Sequence, residues 1–277
     1  MKSLYDIAAP AKLNLFLHIV GRRSDGYHLL ESVFMLIDWC DTLHVELRSD
    51  GQITREDLGA PLPADDLILR AARALQSASG TRLGAHIAID KRIPAQAGMG
   101  GGSSDAASTL LALNRLWGLR LSLPQLQKIG LQLGADVPFF LSGHNAWVSG
   151  IGEHMTPVTL TPARFVVVKP GDGLQTQRIF SHPDLKRDTK AATIYDFAAD
   201  AYGFGHNDLQ PVAQALCPAV TQALTWCGDR GLNARMSGSG SSVFARIAED
   251  FEAGDATGLQ IRPCRNMAVH PLQGWAT

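Results

Sequence analysis

The sequence has few cysteines, no block of basic residues and no long apolar run. Its four cysteines, Cys40, Cys217, Cys227 and Cys264, lie far apart without a C-x-x-C pair. That spacing argues against a zinc site or a disulfide framework and fits a reducing cytosol. A formal net charge of −1 argues against duplex nucleic acid as the main partner. Because no apolar run approaches the roughly 20 residues that span a bilayer, and residues 1–10 lack a signal-peptide core, we expect a cytoplasmic protein that binds no membrane.

Two common phosphate-binding patterns are also missing, although the chain has a dense glycine run. The P-loop needs a lysine directly after its last glycine, and Ser103 stands at that place. The dinucleotide pattern G-x-G-x-x-G fails as well, because its third glycine, counted from Gly98, would fall on Ser103. A P-loop enzyme and a Rossmann dehydrogenase are therefore both disfavoured.

The most informative feature that is present runs from Ala97 to Asp105, just before a helical pattern over Ala106 to Trp117. It has four glycines between Gly98 and Gly102, followed by two serines. Glycines permit unusual backbone angles, and free N–H groups at a helix start favour phosphate. The run predicts a phosphate cradle, and the alternative is a turn that only lets two chain segments pack closely.

The 277 residues suffice for one large domain or two moderate ones, with strand and helix patterns following one another. This succession predicts an α+β or α/β protein with two lobes and a boundary within residues 159–163, where Thr and Pro cluster. The predicted strands cover 7–20, 33–37, 42–47, 85–90 and 165–169, with a strand–turn–strand over 234–247. The predicted helices cover 65–78, 106–117, 122–134, 207–216 and 218–229.

Lys12 and Asn14 share the less apolar face of the first predicted strand. On the residues alone, a solvated strand face is the favoured interpretation. The alternative is a cation and an amide that project into a cleft.

Tyr27 and His28 follow a polar turn after that strand. They fit a hairpin turn with an aromatic residue that closes the core, or equally a stacking ring and a hydrogen-bonding edge for a heterocyclic base.

Asp136 is a lone acid within the apolar stretch Gly134 to Phe140. It could cap a short helix with Pro138 in the first turn, or act as a carboxylate that deprotonates a hydroxyl. The two roles are compatible. A second small-residue run, Ser237 to Ser242, predicts a tight turn that approaches a ligand or the first glycine loop.

Together these stretches resemble the GHMP kinase superfamily, named for galacto-, homoserine, mevalonate and phosphomevalonate kinases. Pro10 to Leu15 is similar to its first motif, Pro94 to Ala107 to its second, and Met236 to Ser242 to its third. Asp25 to His28 and Gly134 to Phe140 point to the branch that acts on 4-diphosphocytidyl-2-C-methyl-D-erythritol. The resemblance spans nearly the whole chain, and three motifs in order are far more specific than any one of them.

The resemblance implies a two-lobed α+β GHMP kinase fold. An N-terminal lobe like domain 2 of ribosomal protein S5 would cover residues 1–160, and a ferredoxin-like C-terminal lobe residues 161–277. The implied activity is ATP-dependent phosphorylation of the 2-hydroxyl of the cytidyl substrate, in non-mevalonate isoprenoid precursor biosynthesis. The oligomeric state stays open between monomer and homodimer.

The resemblance also implies roles for individual residues. Asp136 would be the catalytic base, with Lys12 beside it to stabilise charge. Asn14 and His28 would hold the cytidyl substrate, and Tyr27 and Phe180 would sandwich its cytosine. Lys91 would add a contact to the nucleotide and Thr176 one to the substrate. The ATP phosphates would be wrapped by Pro94, Ala95, Gln96, Ala97, Gly98, Met99, Gly100, Gly101, Gly102, Ser103 and Ser104.

Mg²⁺ would bridge the ATP phosphates mainly through phosphate oxygens and water, with Ser103 or Ser104 as one further ligand. No acidic cluster in the sequence marks a metal site.

Two residues depart from the family pattern. Gln96 replaces a small residue in the loop, and Asp66 replaces an asparagine near the adenine.

Two other functions remain open on this evidence. One is a GHMP kinase for another small alcohol, such as homoserine or a mevalonate derivative, which would have no base to stack on Tyr27, His28 and Phe180. The other is a catalytically silent binding protein with the same fold. That protein would be expected to lose Lys12, Asp136 or the loop serines, all of which are present.

Overall fold

The computed structural model describes residues 2–254 and 256–276. The strands are β1 (Ser3–Arg22), β2 (His28–Arg48), β3 (Ile53–Asp57), β4 (Gly84–Asp90), β5 (Ala146–Gly150), β6 (His154–Pro157), β7 (Arg164–Pro170), β8 (Arg235–Met236), β9 (Val243–Ile247) and β10 (Leu259–Arg265). The helices are α1 (Leu67–Ser79), α2 (Gly101–Leu116), α3 (Leu123–Leu133), α4 (Val137–Ser142), α5 (Thr176–Phe180), α6 (Ile194–Ala199), α7 (Gln210–Leu216) and α8 (Pro218–Gly228).

The first sheet has six strands and is organised around the long strand β2. The order β3-β4-β2-β5-β6 runs across the sheet, and β1 pairs with β2 along its length. The first part of β2 pairs with β5, and its last part pairs with β4. Residues 33–37 and 42–47 are therefore one strand rather than the two that were predicted.

Strand β1 is buried on both faces, so the solvated-face interpretation of Lys12 and Asn14 is wrong. Both side chains are almost fully buried, as are Phe16 and His18. The register with β2 shifts between Asn14 and Leu17, which breaks the strict alternation of faces. As a result, Lys12, Asn14 and Leu17 all reach the same cleft.

Helices α1 to α4 cover the first sheet and enclose a large apolar core. The predicted start of α3 is confirmed: Ser122 and Gln125 form a capping box, and Pro124 lies in the first turn. Helix α2 is buried along most of its length. It crosses behind β1 and therefore holds the glycine-rich loop against that strand.

The second sheet has four antiparallel strands in the order β10-β7-β9-β8. Helices α7 and α8 pack on it around a second core that includes Val166, Val168 and Trp226. A third core joins the two sheets, because Leu13 and Met35 of the first pack with Val167 and Phe244 of the second.

The end of the chain returns to the first sheet. Met267 N–H donates to the carbonyl of Leu36, and His270 N–H donates to that of Gly143. Leu272 belongs to the core beneath α1 to α4. The residues that follow β10 therefore connect the two layers, in addition to the third core.

Candidate active site

A cleft of about 870 Å³ opens between the two layers. Strand β1, the glycine-rich loop, the start of α2 and the turn before α4 line one side, and α5 and the 238–240 turn line the other. Most of the residues predicted for the site lie here. They are Lys12, Asn14, Asp66, Lys91, Pro94, Ala95, Gln96, Ala97, Gly98, Met99, Gly100, Gly101, Gly102, Ser103, Asp136, Thr176 and Phe180.

Helix α2 begins at Gly101 and not at Ala106 as the sequence pattern predicted. Its first internal hydrogen bond runs from Ser104 N–H to the carbonyl of Gly100, at 2.9 Å. The N–H groups of the three preceding residues therefore have no carbonyl one turn back within the helix. They lie at the positive end of the helix dipole, which favours a bound anion.

Two glycines of the loop are required by both backbone angle and space. Gly98 and Gly100 each have φ +71°, where a side chain is strained. A Cβ on Gly98 would overlap the carbonyl oxygen of Ser237, and one on Gly100 would lie 3.0 Å from the ring of Phe140. The glycine run serves close packing as well as offering a surface for phosphate.

Gln96 occupies the left-handed region with φ +51°, although it carries a side chain. Its carbonyl accepts from Ser241 N–H at 3.2 Å, and its side chain lies over Gly173. The side chain of Gln96 thus adds a contact with Gly173 that a small residue would lack.

The two serines after the glycines have different surroundings. Ser103 lines the cleft, whereas the side chain of Ser104 is fully buried. The Ser104 Oγ has no hydrogen-bond partner within the described part of the chain. The backbone N–H of Ser104 donates to the carbonyl of Gly100. The expectation that Ser104 contacts phosphate or metal is therefore corrected, because Ser104 points behind the loop.

Lys12 presents a buried cation to the cleft. Its side chain is 5% exposed, and its Nζ lies 3.6 Å from Asp136 Oδ2. The same Nζ donates to Asn14 Oδ1 at 2.5 Å and stands 4.4 Å above the centre of the Phe34 ring. Burial lowers the pKa of Lys12, and the charge of Asp136 opposes that shift.

Asp136 directly precedes α4, but its side chain makes no capping hydrogen bond. The carboxylate lines the cleft with 32% of its side chain exposed, and Lys12 is its cationic neighbour. The helix start therefore sets the position of Asp136 without consuming its oxygens. They remain available to a ligand hydroxyl.

Both the oxygen and the nitrogen of the Asn14 side-chain amide form hydrogen bonds. The oxygen accepts from Lys12, and Nδ2 donates to Ser32 Oγ at 2.9 Å. Its backbone N–H donates to Ser237 Oγ, which in turn donates to the carbonyl of Gly98. In this structure Asn14 therefore orients Lys12 and connects three motifs, besides lining the cleft.

Lys91 lies between two aspartates that the sequence reasoning missed. Its Nζ bonds the carboxylates of Asp41 and Asp105, the latter at 2.6 Å. Burial acts to lower the pKa of Lys91, but the two carboxylates outweigh it and the pKa is raised. Burial raises the pKa of Asp105. Asp41 also accepts from the N–H groups of Arg92 and Ile93, so this network fixes the strand end that enters the glycine loop.

Asp66 caps α1 by accepting from Leu69 N–H at 3.1 Å, and it forms an ion pair with Arg55 at 2.8 Å. Its carboxylate lies in the cleft wall beside Leu62 and Leu67. Much of its bonding capacity is thus already used by the protein.

At the opposite end, Phe180 lines the cleft and its ring centre lies 5.2 Å from that of His28. Tyr27 is 62% exposed and, like His28, stands outside the lining of the cleft. The structure therefore brings His28 and Phe180 together, with Tyr27 beside them in solvent. Thr176 Oγ1 lies 2.7 Å from Ser239 Oγ, so Thr176 contacts the 238–240 turn.

Two models of the GHMP kinase superfamily match the chain. The GHMP kinases N terminal domain covers residues 66–144, and the GHMP kinases C terminal model covers residues 185–257. Among curated proteins, a 4-diphosphocytidyl-2-C-methyl-D-erythritol kinase from Albidiferax ferrireducens is 70% identical over all of this chain and 96% of its own length. One from Variovorax paradoxus is 64% identical over the full length of both.

The chain belongs to the 4-diphosphocytidyl-2-C-methyl-D-erythritol kinase family.

A solved structure of such a kinase agrees with this membership. It is 34% identical, with a TM-score of 0.81 over 94% of this chain and 98% of the other. A homoserine kinase from Cytophaga hutchinsonii has a TM-score of 0.70 over 98% and 96% of the two chains, but at 16% identity it shows only a shared fold. The expected superfamily and its two-lobed α+β fold are confirmed, and the chain is a kinase. None of the helices in the described residues combines the length and apolar composition needed to cross a bilayer.

In this kinase the third motif abuts the second. Ser241 and Ser242 N–H groups donate to carbonyls of the glycine loop, at 3.2 and 3.3 Å. Asn207, which sequence reasoning missed, donates from Nδ2 to the carbonyls of Met236 and Gly238, both at 2.8 Å. The prediction of a tight turn against the first glycine loop is confirmed by these contacts.

Proposed function

We propose that this chain transfers the γ-phosphate of ATP to the 2-hydroxyl of 4-diphosphocytidyl-2-C-methyl-D-erythritol, in isoprenoid precursor biosynthesis. The observation that carries the proposal is the ion pair of Lys12 and Asp136 at 3.6 Å, in the same cleft as the α2 N-terminus. Membership of the family supports the identity of the acceptor.

The ATP phosphates would bind along the glycine-rich loop, at the start of α2. There the N–H groups of Gly101, Gly102 and Ser103 precede the first internal hydrogen bond of the helix. Leu62, Leu67 and Ile93 line the cleft nearby and offer an apolar wall to the adenine. Asp66 and Lys91 would contact the nucleotide from this wall.

Mg²⁺ would accompany ATP. Within the described residues no group of three or more His, Cys, Asp or Glu side chains is placed to hold a metal ion. An ion that is bound mainly by phosphate oxygens and water would need few protein ligands, and the Ser103 hydroxyl, which lines the cleft, would be one of them. When bound, Mg²⁺ neutralises part of the phosphate charge.

Asp136 would accept the proton of the acceptor hydroxyl as its oxygen attacks the γ-phosphorus. The bond between that phosphorus and the β,γ-bridging oxygen breaks, and ADP leaves with the bond's electron pair. Lys12 would stabilise the negative charge that develops on the oxygens in transfer. Asn14 supports this step through its hydrogen bond to Lys12.

The cytidyl group would bind at the far end of the cleft, where Phe180 and His28 are adjacent. Tyr27 is free to turn onto the other face of the cytosine, because its ring is exposed. Thr176 would contact the substrate from the start of α5.

We further infer a cytoplasmic location, since all four cysteines are free. The division into lobes at residues 160 and 161 remains a proposal. It is supported by the position of these residues between the last strand of the first sheet and the first strand of the second.

The test is ADP release from ATP with Mg²⁺ and one of three acceptors: the cytidyl substrate, homoserine or mevalonate. We expect release only with the cytidyl substrate. Release with homoserine or mevalonate alone would keep the kinase and overturn the acceptor. ATP binding without release in any reaction would favour the silent binding protein.

A further inference from the structure

We propose that Arg187 is a positioning residue that fixes the proton of His28 on Nδ1, so that His28 presents a hydrogen-bond donor to the cytosine. This inference rests on the proposed function for the identity of the ligand. Arg187 lies in the segment between α5 and α6, and its Nε donates to His28 Nε2 at 3.1 Å.

The guanidinium of Arg187 is held by the loop that it belongs to. Nη1 donates to the carbonyls of Pro183 and Leu185, at 3.2 and 2.8 Å. Nη2 donates to the carbonyls of His182, at 2.7 Å, and Phe180, at 3.5 Å. Because Nε donates to His28, all three nitrogens of the Arg187 guanidinium have an acceptor. The backbone carbonyls that hold Nη1 and Nη2 therefore set the direction of the Nε–H bond.

This contact decides the tautomer of His28. Arginine has five N–H donors and no acceptor, so Nε2 must offer its lone pair. A neutral imidazole then carries its single proton on Nδ1. Within the described residues, Nδ1 has no hydrogen-bond partner, and the ring lies against that of Phe180, which lines the cleft. Cytosine offers acceptors at N3 and O2, which such a donor fits.

The charged surroundings of His28 keep the ring neutral. Burial, Arg187 and Arg22 all lower the pKa of His28. The nearby carboxylate of Asp25 is engaged by Arg23 at 2.7 Å and by Tyr27 N–H. The tautomer, and not the charge, is therefore what Arg187 controls at neutral pH.

The first arm of the test measures KM for the cytidyl substrate and for ATP at pH 5 and pH 8. It compares the wild type, Arg187→Met, and Arg82→Gln as a control for loss of an exposed arginine outside the cleft. Without Arg187, part of the neutral His28 takes the Nε2–H form and loses its donor. We expect KM for the cytidyl substrate to rise about two- to fivefold at pH 8, as for a donor form that falls to between roughly a half and a fifth of the population, with KM for ATP unchanged.

At pH 5, below the ordinary pKa range of histidine, the increase should shrink in Arg187→Met, because the variant lacks one of the charges that lower the pKa of His28 and a protonated imidazole donates from both nitrogens. An Arg187 that only holds the loop in place would raise KM equally at both pH values. Such a result would overturn the proposal, as would an unchanged KM. Arg82→Gln should match the wild type throughout.

The second arm needs no substrate and no variant. Long-range ¹H–¹⁵N NMR of the wild-type protein distinguishes a protonated Nδ1 from a protonated Nε2 on His28. We expect Nδ1–H in the free protein at pH 7.5. An Nε2–H form would overturn the proposal, whichever acceptor the kinase uses. If the wild type used no cytidyl substrate, the proposed function would fail in the kinetic arm while the tautomer remained measurable.

Discussion

At the proposed phosphate end of the cleft, the candidate binding groups are backbone N–H groups at the start of α2, a helix that is packed from behind. At the proposed cytidyl end, they are side chains: Tyr27 in the turn before β2, His28 at the start of β2 and Phe180 at the end of α5. Gly98 and Gly100 are fixed by contacts with Ser237 and Phe140, whereas Tyr27 is mostly exposed. From this difference we expect a phosphate end that is formed before ATP binds, and a cytidyl end that is completed when Tyr27 meets its ligand.

The largest effect is expected at the junction of the two ends, in Asp136→Asn. Loss of the base should lower kcat by about 10²–10⁴-fold and leave both KM values nearly unchanged. Steady-state kinetics would measure this, with Asp250→Asn, an exposed acid outside the cleft, as the control. Full turnover in Asp136→Asn would rule out the base role.

The next largest effect is expected for Gly98→Ala at the phosphate end. Gly231→Ala is a matched control, because Gly231 has φ +68° but nothing within 4 Å of an added Cβ. Both variants suffer backbone strain, while only Gly98→Ala meets the Ser237 carbonyl. We expect Gly98→Ala to lose about 1–3 kcal/mol more in the free energy of unfolding, with a higher KM for ATP. Equal losses in urea unfolding would show that the close contact is unimportant.

A smaller and selective effect is expected for Tyr27→Ala at the cytidyl end. Stacking of a base on an aromatic ring contributes about 1–3 kcal/mol, so KM for the cytidyl substrate should rise while KM for ATP does not. Tyr195→Ala removes another exposed tyrosine, 83% accessible, and should change neither. Equal changes in both KM values would argue against stacking and against a separate cytidyl end.

The smallest effect on turnover is expected for His270→Asn, which lies outside both ends. Burial lowers the pKa of His270 to about 4, below the unfolded value of about 6.5. The unfolded chain therefore binds more protons between these values, and stability falls as pH decreases through that range. His270→Asn should therefore lose up to about 3 kcal/mol less free energy of unfolding over this pH range than the wild type does.

Asparagine can keep the acceptor that His270 Nδ1 offers to Leu272 N–H. Urea unfolding at pH 7 and pH 4.5 would compare His270→Asn with the wild type, and His154→Asn would control for an exposed histidine. An identical loss of stability in all three proteins would contradict the assignment to His270.

Local chemistry predicted the elements that depend on it. The start of α3 at Ser122 and the turn at Ser237 to Ser242 follow from short-range patterns, and the structure contains both of them. The start of α2 was misplaced because glycines disfavour helix, and burial of the helix overrides that preference. Strand β2 was predicted as two strands because Asp38 and Asp41 are residue types typical of loops. In the structure Asp41 is buried and accepts from backbone N–H groups.

The site was less accessible to sequence reasoning, because its contacts join distant positions. The pairing of Lys12 with Asp136 came from the family resemblance and not from any local pattern. Asp41, Arg187 and Asn207 were missed, since their partners lie 50, 159 and 29 residues away. Nothing in the neighbourhood of these residues marks them.

Direct transfer between two ligands in one cleft is tested most directly by stereochemistry. The γ-phosphate of ATP can be made chiral with three oxygen isotopes and its configuration determined in the product. In-line attack by the acceptor oxygen, with Asp136 as base, predicts inversion at phosphorus. Retention would require a phosphate carried on the protein, such as an acyl phosphate on Asp136, and would contradict the mechanism.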